Sequence, residues 1–233
     1  MDPDELKRRF GEEYPAALTF EGKRLPLKGE SLFGRTYVEE GTEKFFTISR
    51  FMDGSATISL EELEAEWPAW SDRLRGSFCM GLGWLRDQAD FRGMLQYIMD
   101  HGGEDERGAI ANIVASALPQ DQAFDFLVTA LRNHQGPGSA NLIQGIAATE
   151  HPHASGILRE HLAYLWQMPD LWKEDPFMNW TAFDASCCIL HLLEAGGVPG
   201  DYEEQVRCLA SHACEGNRRS TKSYLGAYYP WLE

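Results

Sequence analysis

Two Cys/His pairs stand at helical spacing late in the chain: Cys188 and His191 are three residues apart, and Cys208 and His212 are four apart. Such spacing places both members of a pair on one helix face, and two cysteines with two histidines make a valid zinc set, with Cys187 and Cys214 as possible substitutes. No Cys-x-x-Cys knuckle accompanies them, so the ordinary alternative is buried cysteines with histidines at helix boundaries. Trp180 and Asp184 lie one helical turn apart and pair an aromatic ring with a carboxylate. Their ordinary alternative is a packed Trp and an exposed Asp. The stretch from Trp166 to Trp180 is the most unusual in composition, with Trp166, Trp172, Phe177 and Trp180 beside Asp170, Glu174 and Asp175, and two prolines. Trp and Met concentrate in interface cores, and an acidic rim selects a basic partner. The same rings could instead fold back and be buried locally, because aromatic side chains need cover somewhere. Gly-x-Ser-x-Gly, a phosphate-binding Gly loop and His-Glu-x-x-His are all absent, so hydrolysis has no support and no cofactor is expected.

Charge narrows the partner. The chain of 233 residues carries a formal −15, and residues 89–214 hold 17 Asp and Glu against 6 Lys and Arg. An acidic surface repels phosphate backbones, which makes nucleic acid an unlikely partner and a basic protein a favoured one, unless the charge serves only solubility. Five cysteines, two of them adjacent, do not form a disulfide framework in a chain of this size. The acidic start has no apolar signal-peptide core, and no apolar run is long enough to span a bilayer, so the expected location is cytoplasmic, with no membrane partner. The tract 53–62 resembles the second half of an EF-hand loop, with Ile58 at the central apolar position and Glu62 as the last ligand. Phe51 stands where the first carboxylate belongs and Ala56 where the turn glycine belongs. A β-turn followed by a helix N-cap at Ser59 explains the same letters.

The elements that must position these residues follow from periodicity. A short helix at 2–13 is followed by a β-rich stretch, with strands expected at 17–25, 32–39, 44–51 and 56–59. Ser59 caps a helix over 60–69, and another begins at Ser71 and runs to about 87, weakened by Gly76, Gly81 and Gly83. Four helix pairs come next, at 90–100 with 104–118, 121–134 with 139–149, 153–167 with 181–195, and 201–214 with 218–231. The third pair carries the insertion 168–179. The aromatic tail 224–233 is read as a cap over the last apolar face. Two domains are expected: 1–58, small and β-rich with a leading helix, and 59–233, helical.

The run Ala123-Phe-Asp-Phe-Leu-Val-Thr-Ala-Leu-Arg-Asn-His, then Ala140-Asn-Leu-Ile-Gln-Gly-Ile-Ala-Ala-Thr, then Pro152-His-Ala-Ser-Gly-Ile-Leu-Arg-Glu-His-Leu resembles HEAT repeats of the short bacterial type, over roughly residues 89–233. The resemblance implies a mainly α protein, an α-α superhelix of HEAT-like hairpins that commonly scaffolds partners. The expected function is non-catalytic protein binding, as an adaptor or as an immunity protein that neutralises a basic toxin. The expected contacts are the concave face and the insertion residues Trp166, Asp170, Trp172, Glu174, Asp175, Phe177 and Trp180. Trp180 and Asp184 also resemble the Trp/Asp pair of HEAT-like alkylpurine DNA glycosylases, which implies base excision as the alternative. That chemistry needs a cationic groove, against a net −11 here.

Overall fold

A computed structural model describes residues 19–20, 23–24, 58–70, 72–134 and 136–232. The leading helix and the strands expected at 32–39 and 44–51 lie outside these residues. Within the first expected strand region, β1 (Thr19–Phe20) pairs antiparallel with β2 (Lys23–Arg24), Thr19 opposite Arg24. The described chain is otherwise helical and falls into two compact units, Met1–Ile110 and Ala111–Glu233.

The first unit contains α1 (Leu60–Glu66), α2 (Asp72–Gly81) and α3 (Phe91–His101). Ser59 caps α1 through a capping box: its hydroxyl accepts the Glu62 N–H at 3.2 Å, and the Glu62 carboxylate accepts the Ser59 N–H at 2.8 Å. The residue placed as a calcium ligand by the EF-hand resemblance thus spends its carboxylate on the cap, and those hydrogen bonds hold its pKa below the ordinary carboxylate value. The helix expected over 60–69 tightens to a 3₁₀ turn at Trp67–Ala69, where Pro68 supplies no N–H. The next helix likewise stops at Gly81 and passes into a 3₁₀ turn, Leu82–Leu85, in the glycine-bearing stretch. Leu63, Trp67, Trp70, Phe78, Met94, Leu95 and Ile98 are buried, and the Trp70 ring meets Phe78 edge-on at 5.1 Å.

A helix α4 (Glu104–Ala117) leads into the second unit, which continues with α5 (Gln120–Asn133), α6 (Ala140–Ala148), α7 (Ala154–Gln167), α8 (Trp180–Glu194), α9 (Glu203–Ala210) and α10 (Glu215–Leu225). Consecutive helices pair as α5 with α6, α7 with α8, and α9 with α10, and the second members also touch in series, α6 against α8 and α8 against α10. This packing of helix on helix is compatible with a repeat solenoid. A close crossing seats α6 on α4: a Cβ at Gly145 would lie 2.6 Å from the Ala111 carbonyl oxygen. The central member is α8, with Ala182, Asp184, Ala185, Ser186, Cys187, Cys188, Ile189, Leu192 and Leu193 all buried. A helix covered on several sides buries its polar positions as well as its apolar ones. The C-terminal tail folds back as expected of a cap. Tyr229 is buried and its hydroxyl donates to the Pro199 carbonyl at 2.7 Å, while the Arg207 guanidinium lies 4.3 Å over the Trp231 ring.

Candidate partner-binding surface

The 168–179 insertion leaves α7 at Gln167 and returns to α8 at Trp180. A 3₁₀ turn, Pro169–Trp172, buries Leu171 completely. Its carbonyl accepts a hydrogen bond from His212 Nε2 at 2.9 Å, while His212 Nδ1 accepts the Cys214 N–H at 3.0 Å. Those two bonds fix the neutral tautomer with its proton on Nε2. Further along, the Asp175 N–H points at Cys214 Sγ (3.0 Å), and Asp175 Oδ1 accepts from the N–H groups of Phe177 and Met178 at 2.9 and 3.1 Å. This is an Asx-type turn, in which the side chain stands in for a backbone acceptor.

The anchor of the loop is Asn179. Its Oδ1 caps α8 by accepting the Ala182 N–H at 2.9 Å, and its Nδ2 donates to the carbonyls of Asp170 and Lys173 at 2.7 and 2.9 Å. Its backbone exchanges two bonds with the Asn217 side chain on α10, Asn179 N–H to Asn217 Oδ1 and Asn217 Nδ2 to the Asn179 carbonyl, both 2.8 Å. Every polar group at this buried junction has a partner, which makes the insertion a held structure.

The expected contact residues divide sharply by burial. Trp166 is half-buried and meets Trp172 edge-on at 5.6 Å, and the other neighbour of Trp172 is the stacked His212 ring at 5.8 Å. Even so, Trp172 remains 47% exposed, Trp180 52% and Phe177 83%. Trp180 begins a run of rings, edge-on to Phe183 at 5.7 Å, with Phe183 then 5.8 Å from Tyr224. Asp170 is half-buried and ion-paired with Lys173, whereas Glu174 and Asp175 are exposed. The backbone, Leu171 and Trp166 therefore fold back onto the helices, while three rings stay open. The local burial expected of the insertion is met by Leu171 and in part by Trp166, and the exposed rings are Trp172, Phe177 and Trp180.

The Trp180–Asp184 pair is reversed from its ordinary alternative: the Trp is half exposed and the Asp is fully buried. Trp180 is the first residue of α8, while Asp184 lies a turn deeper among neighbouring helices. Asp184 Oδ2 accepts from the Gly138 N–H, the Ser139 N–H and the Ser139 hydroxyl at 2.9, 2.8 and 2.9 Å, at the N-terminus of α6. His161 Nε2 approaches the same Ser139 oxygen at 2.9 Å. With the hydroxyl proton committed to Asp184, the imidazole is the donor to Ser139. The order is therefore His to Ser to Asp, with the serine buried; a nucleophilic triad needs the histidine between the other two. Burial raises the Asp184 pKa against the opposing pull of these donors, and burial with nearby His134 lowers His161 to about 4. Asp184 Oδ1 is buried without a partner.

The zinc suspects are dispersed into structural duties. His212 uses both ring nitrogens, and His191 Nδ1 sits 2.7 Å from Glu194 Oε2. Burial raises the Cys187 thiol to about 12 and holds the Cys188 thiol well above its ordinary value, as for small apolar core residues. Among the described residues no three His, Cys, Asp or Glu side chains gather in a metal-holding arrangement. The residues that hold the candidate surface in place were absent from the sequence-derived contact set: Asn179, Asn217, His212, Cys214 and Gly216. Only Asn179 carried a local signal, an N-cap residue just ahead of a helical run.

No helix of the described residues is long and apolar enough to cross a membrane. No protein-family model matches the chain, and neither curated proteins nor solved structures yield a match.

Proposed function

We propose that residues 111–233 form a non-catalytic protein-binding module, an adaptor or immunity-type binder that takes a basic partner against the rings of its insertion. In this reading the pairs α5/α6, α7/α8 and α9/α10 are HEAT-like turns of an α-α superhelix that works in the cytoplasm. The observation that carries the reading is the combination of a rigidly tied loop with Trp172, Phe177 and Trp180 left open. Pre-ordered aromatic side chains lose little entropy on binding, which is why such rings dominate interface energetics. Glu174 and Asp175 beside them, within a region of net −11, supply the complementarity for a basic surface. The base-excision alternative gains no support, because Asp184 is fully buried and its accepting oxygen is spent on α6.

The test is capture of a partner from the host, its identification, and titration of the purified pair. Phe177→Ala, Trp180→Ala and Trp172→Ala should each weaken binding by roughly 10- to 100-fold, about 1.4–2.7 kcal/mol, and Phe177→Ala, at the most exposed of the three rings, should leave the melting temperature unchanged. Glu174→Lys should slow association most at low salt. Unaltered affinity in all three aromatic variants removes the insertion from the reading.

A further inference from the structure

Helix α8 is packed against α6, α7 and α10, and one side of it has no cover. Along that side Trp180, Phe183, Leu190 and Glu194 are open or half-open in one line at helical spacing, with Cys187 between them at 8% exposure. A helix side that faces water carries charged residues. On α5 it holds Asp121, Asp125 and Arg132, and on α7 it holds Arg159 and Glu160, all exposed. Helix α8 has no Lys or Arg, and its one carboxylate ahead of Glu194 is Asp184, which is turned inward and fully buried. A helix that is apolar on every side is a covered helix. Three sides of α8 have their cover, and the fourth presents Trp180, Phe183 and Leu190.

The flanks of this strip are uncharged too. Helix α6 has no charged residue, and its exposed Gln144 and Ala148 border the end of α8 beside Glu194. On the other flank the Phe183 ring lies 5.8 Å from Tyr224, which is 39% exposed, and Ser220 stands one turn before it on the same side of α10. Arg218, Arg219 and Lys222 are each roughly 100° or more around α10 from Tyr224. From Trp180 to Leu190 the strip is about 15 Å long at the helical rise per residue. Glu174 and Asp175, both exposed, stand at its Trp180 end on the loop tied to Asn217 and Cys214. The backbone of α8 is spent on its own hydrogen bonds, so an extended peptide laid here would leave its N–H and C=O groups unpaired, whereas a helix satisfies its own. An uncharged aromatic strip of this length with carboxylates at one end complements a helix with an apolar i, i+3, i+4, i+7 side and basic residues at one end.

We infer that the open side of α8 is the seat of an amphipathic helix of the basic partner, with its apolar side on Trp180, Phe183 and Leu190 and its Lys or Arg residues at Glu174 and Asp175. The inference rests on the binding reading above and names the form in which that partner presents itself.

The full chain, labelled at alanine and leucine methyls, is titrated with the designed peptide acetyl-Lys-Lys-Leu-Ala-Gln-Leu-Leu-Ala-Gln-Leu-Leu-Gln-Ala-amide. One control peptide has Pro in place of the second Ala, and another has Glu in place of both Lys. Saturable binding is expected, with a gain of helical circular dichroism and shifts of the Leu190 and Ala148 methyls. The Pro and Glu peptides should each bind about tenfold or more weakly. Leu190→Gln and Ala148→Arg should each weaken the Lys peptide by about tenfold or more. Ala148→Arg keeps the fold, because this exposed residue lies in the last turn of α6, where a cation is favoured. Ala163→Arg, the same change on the exposed side of α7, should alter binding less than about twofold. Absence of saturable binding, equal effects of the two Arg variants, or Pro or Glu peptides that bind as well as the Lys peptide each overturns the inference. So does a free chain whose Leu190 methyls are shielded from a soluble nitroxide, or a dimer that Leu190→Gln dissolves, because residues 1–57 or a second copy then cover this side. Against the captured partner, a loss with Phe177→Ala but none with Leu190→Gln or Ala148→Arg removes the seat and leaves the binding reading standing. Unaltered affinity in all three ring variants strikes that reading instead.

Discussion

Asp184→Ala should destabilise the chain by about 2–4 kcal/mol at neutral pH, among the largest effects of any single replacement outside the apolar core. The truncation strands the N–H groups of Gly138 and Ser139 and the Ser139 hydroxyl at a buried junction, and each unsatisfied buried donor costs about 1–3 kcal/mol. Part of that loss is returned, because the carboxylate itself is costly to keep ionised away from water. Asp184→Asn separates the two contributions. It offers a carbonyl oxygen to the same donors and removes the charge, so its loss should be far smaller than that of alanine.

The pH dependence has a definite sign. Burial raises the Asp184 pKa above its ordinary 3.8 in the folded chain. Its contribution to stability is therefore fully present below the unfolded value and is lost as pH rises through the folded one. Asparagine carries no such loss. Relative to wild type, Asp184→Asn should gain stability between about pH 4 and neutrality, where the unfolded aspartate has already ionised. His161 titrates in the opposite sense: its pKa is lowered to about 4, so its contribution is present above its unfolded value and is lost as pH falls. It is present in both proteins, so the comparison at each pH largely isolates the carboxylate. Urea unfolding of the pair at a series of pH values measures the difference. A wild-type protein that gains on asparagine with rising pH would mean that the three donors outweigh burial.

How far the letters alone reach can be judged from particular residues. The helices at Phe91–His101, Gln120–Asn133 and Ala154–Gln167 stand within two residues of their expected bounds, because an apolar face at 3.6-residue spacing is a local property. The insertion was bounded correctly for a similar reason: Pro169 and Pro176 interrupt the pattern. Burial on α8 was a different matter. The ordinary reading of the Trp180–Asp184 spacing puts the carboxylate outside, yet Asp184 is fully buried, since which side of a helix is covered depends on neighbours far along the chain. The support of the exposed rings was illegible for the same reason. Asn217, His212 and Cys214 lie more than thirty residues from the loop segments they hold, and no periodicity marks a hydrogen bond between distant segments.

Gly216→Ala tests whether that support governs function. Gly216 lies in the first turn of α10, and a Cβ there would fall 2.2 Å from the Phe177 carbonyl oxygen and 3.3 Å from its carbon. The obstacle is backbone, so no rotamer change relieves it. Nor can the loop simply retreat, because Asn217 grips the Asn179 backbone and Cys214 receives the Asp175 N–H. One of these ties must break or α10 must move, at a cost of about 2–4 kcal/mol, at or above the usual range for overpacking. Gly156→Ala is the internal contrast. Gly156 lies in α7 with nothing within 4 Å of its would-be Cβ, so alanine there should stabilise by roughly 0.5–1 kcal/mol through helix propensity alone. Denaturant titration should therefore place the two variants on opposite sides of wild type. The functional consequence separates a presented surface from a sticky one. If partner affinity needs Phe177 and Trp172 held in place, Gly216→Ala should weaken it about tenfold or more, at temperatures where the variant is still folded, although no contacting side chain has changed. Affinity equal to wild type in that folded variant would mean that the rings work as flexible anchors and that the Asn179–Asn217 clamp serves stability alone.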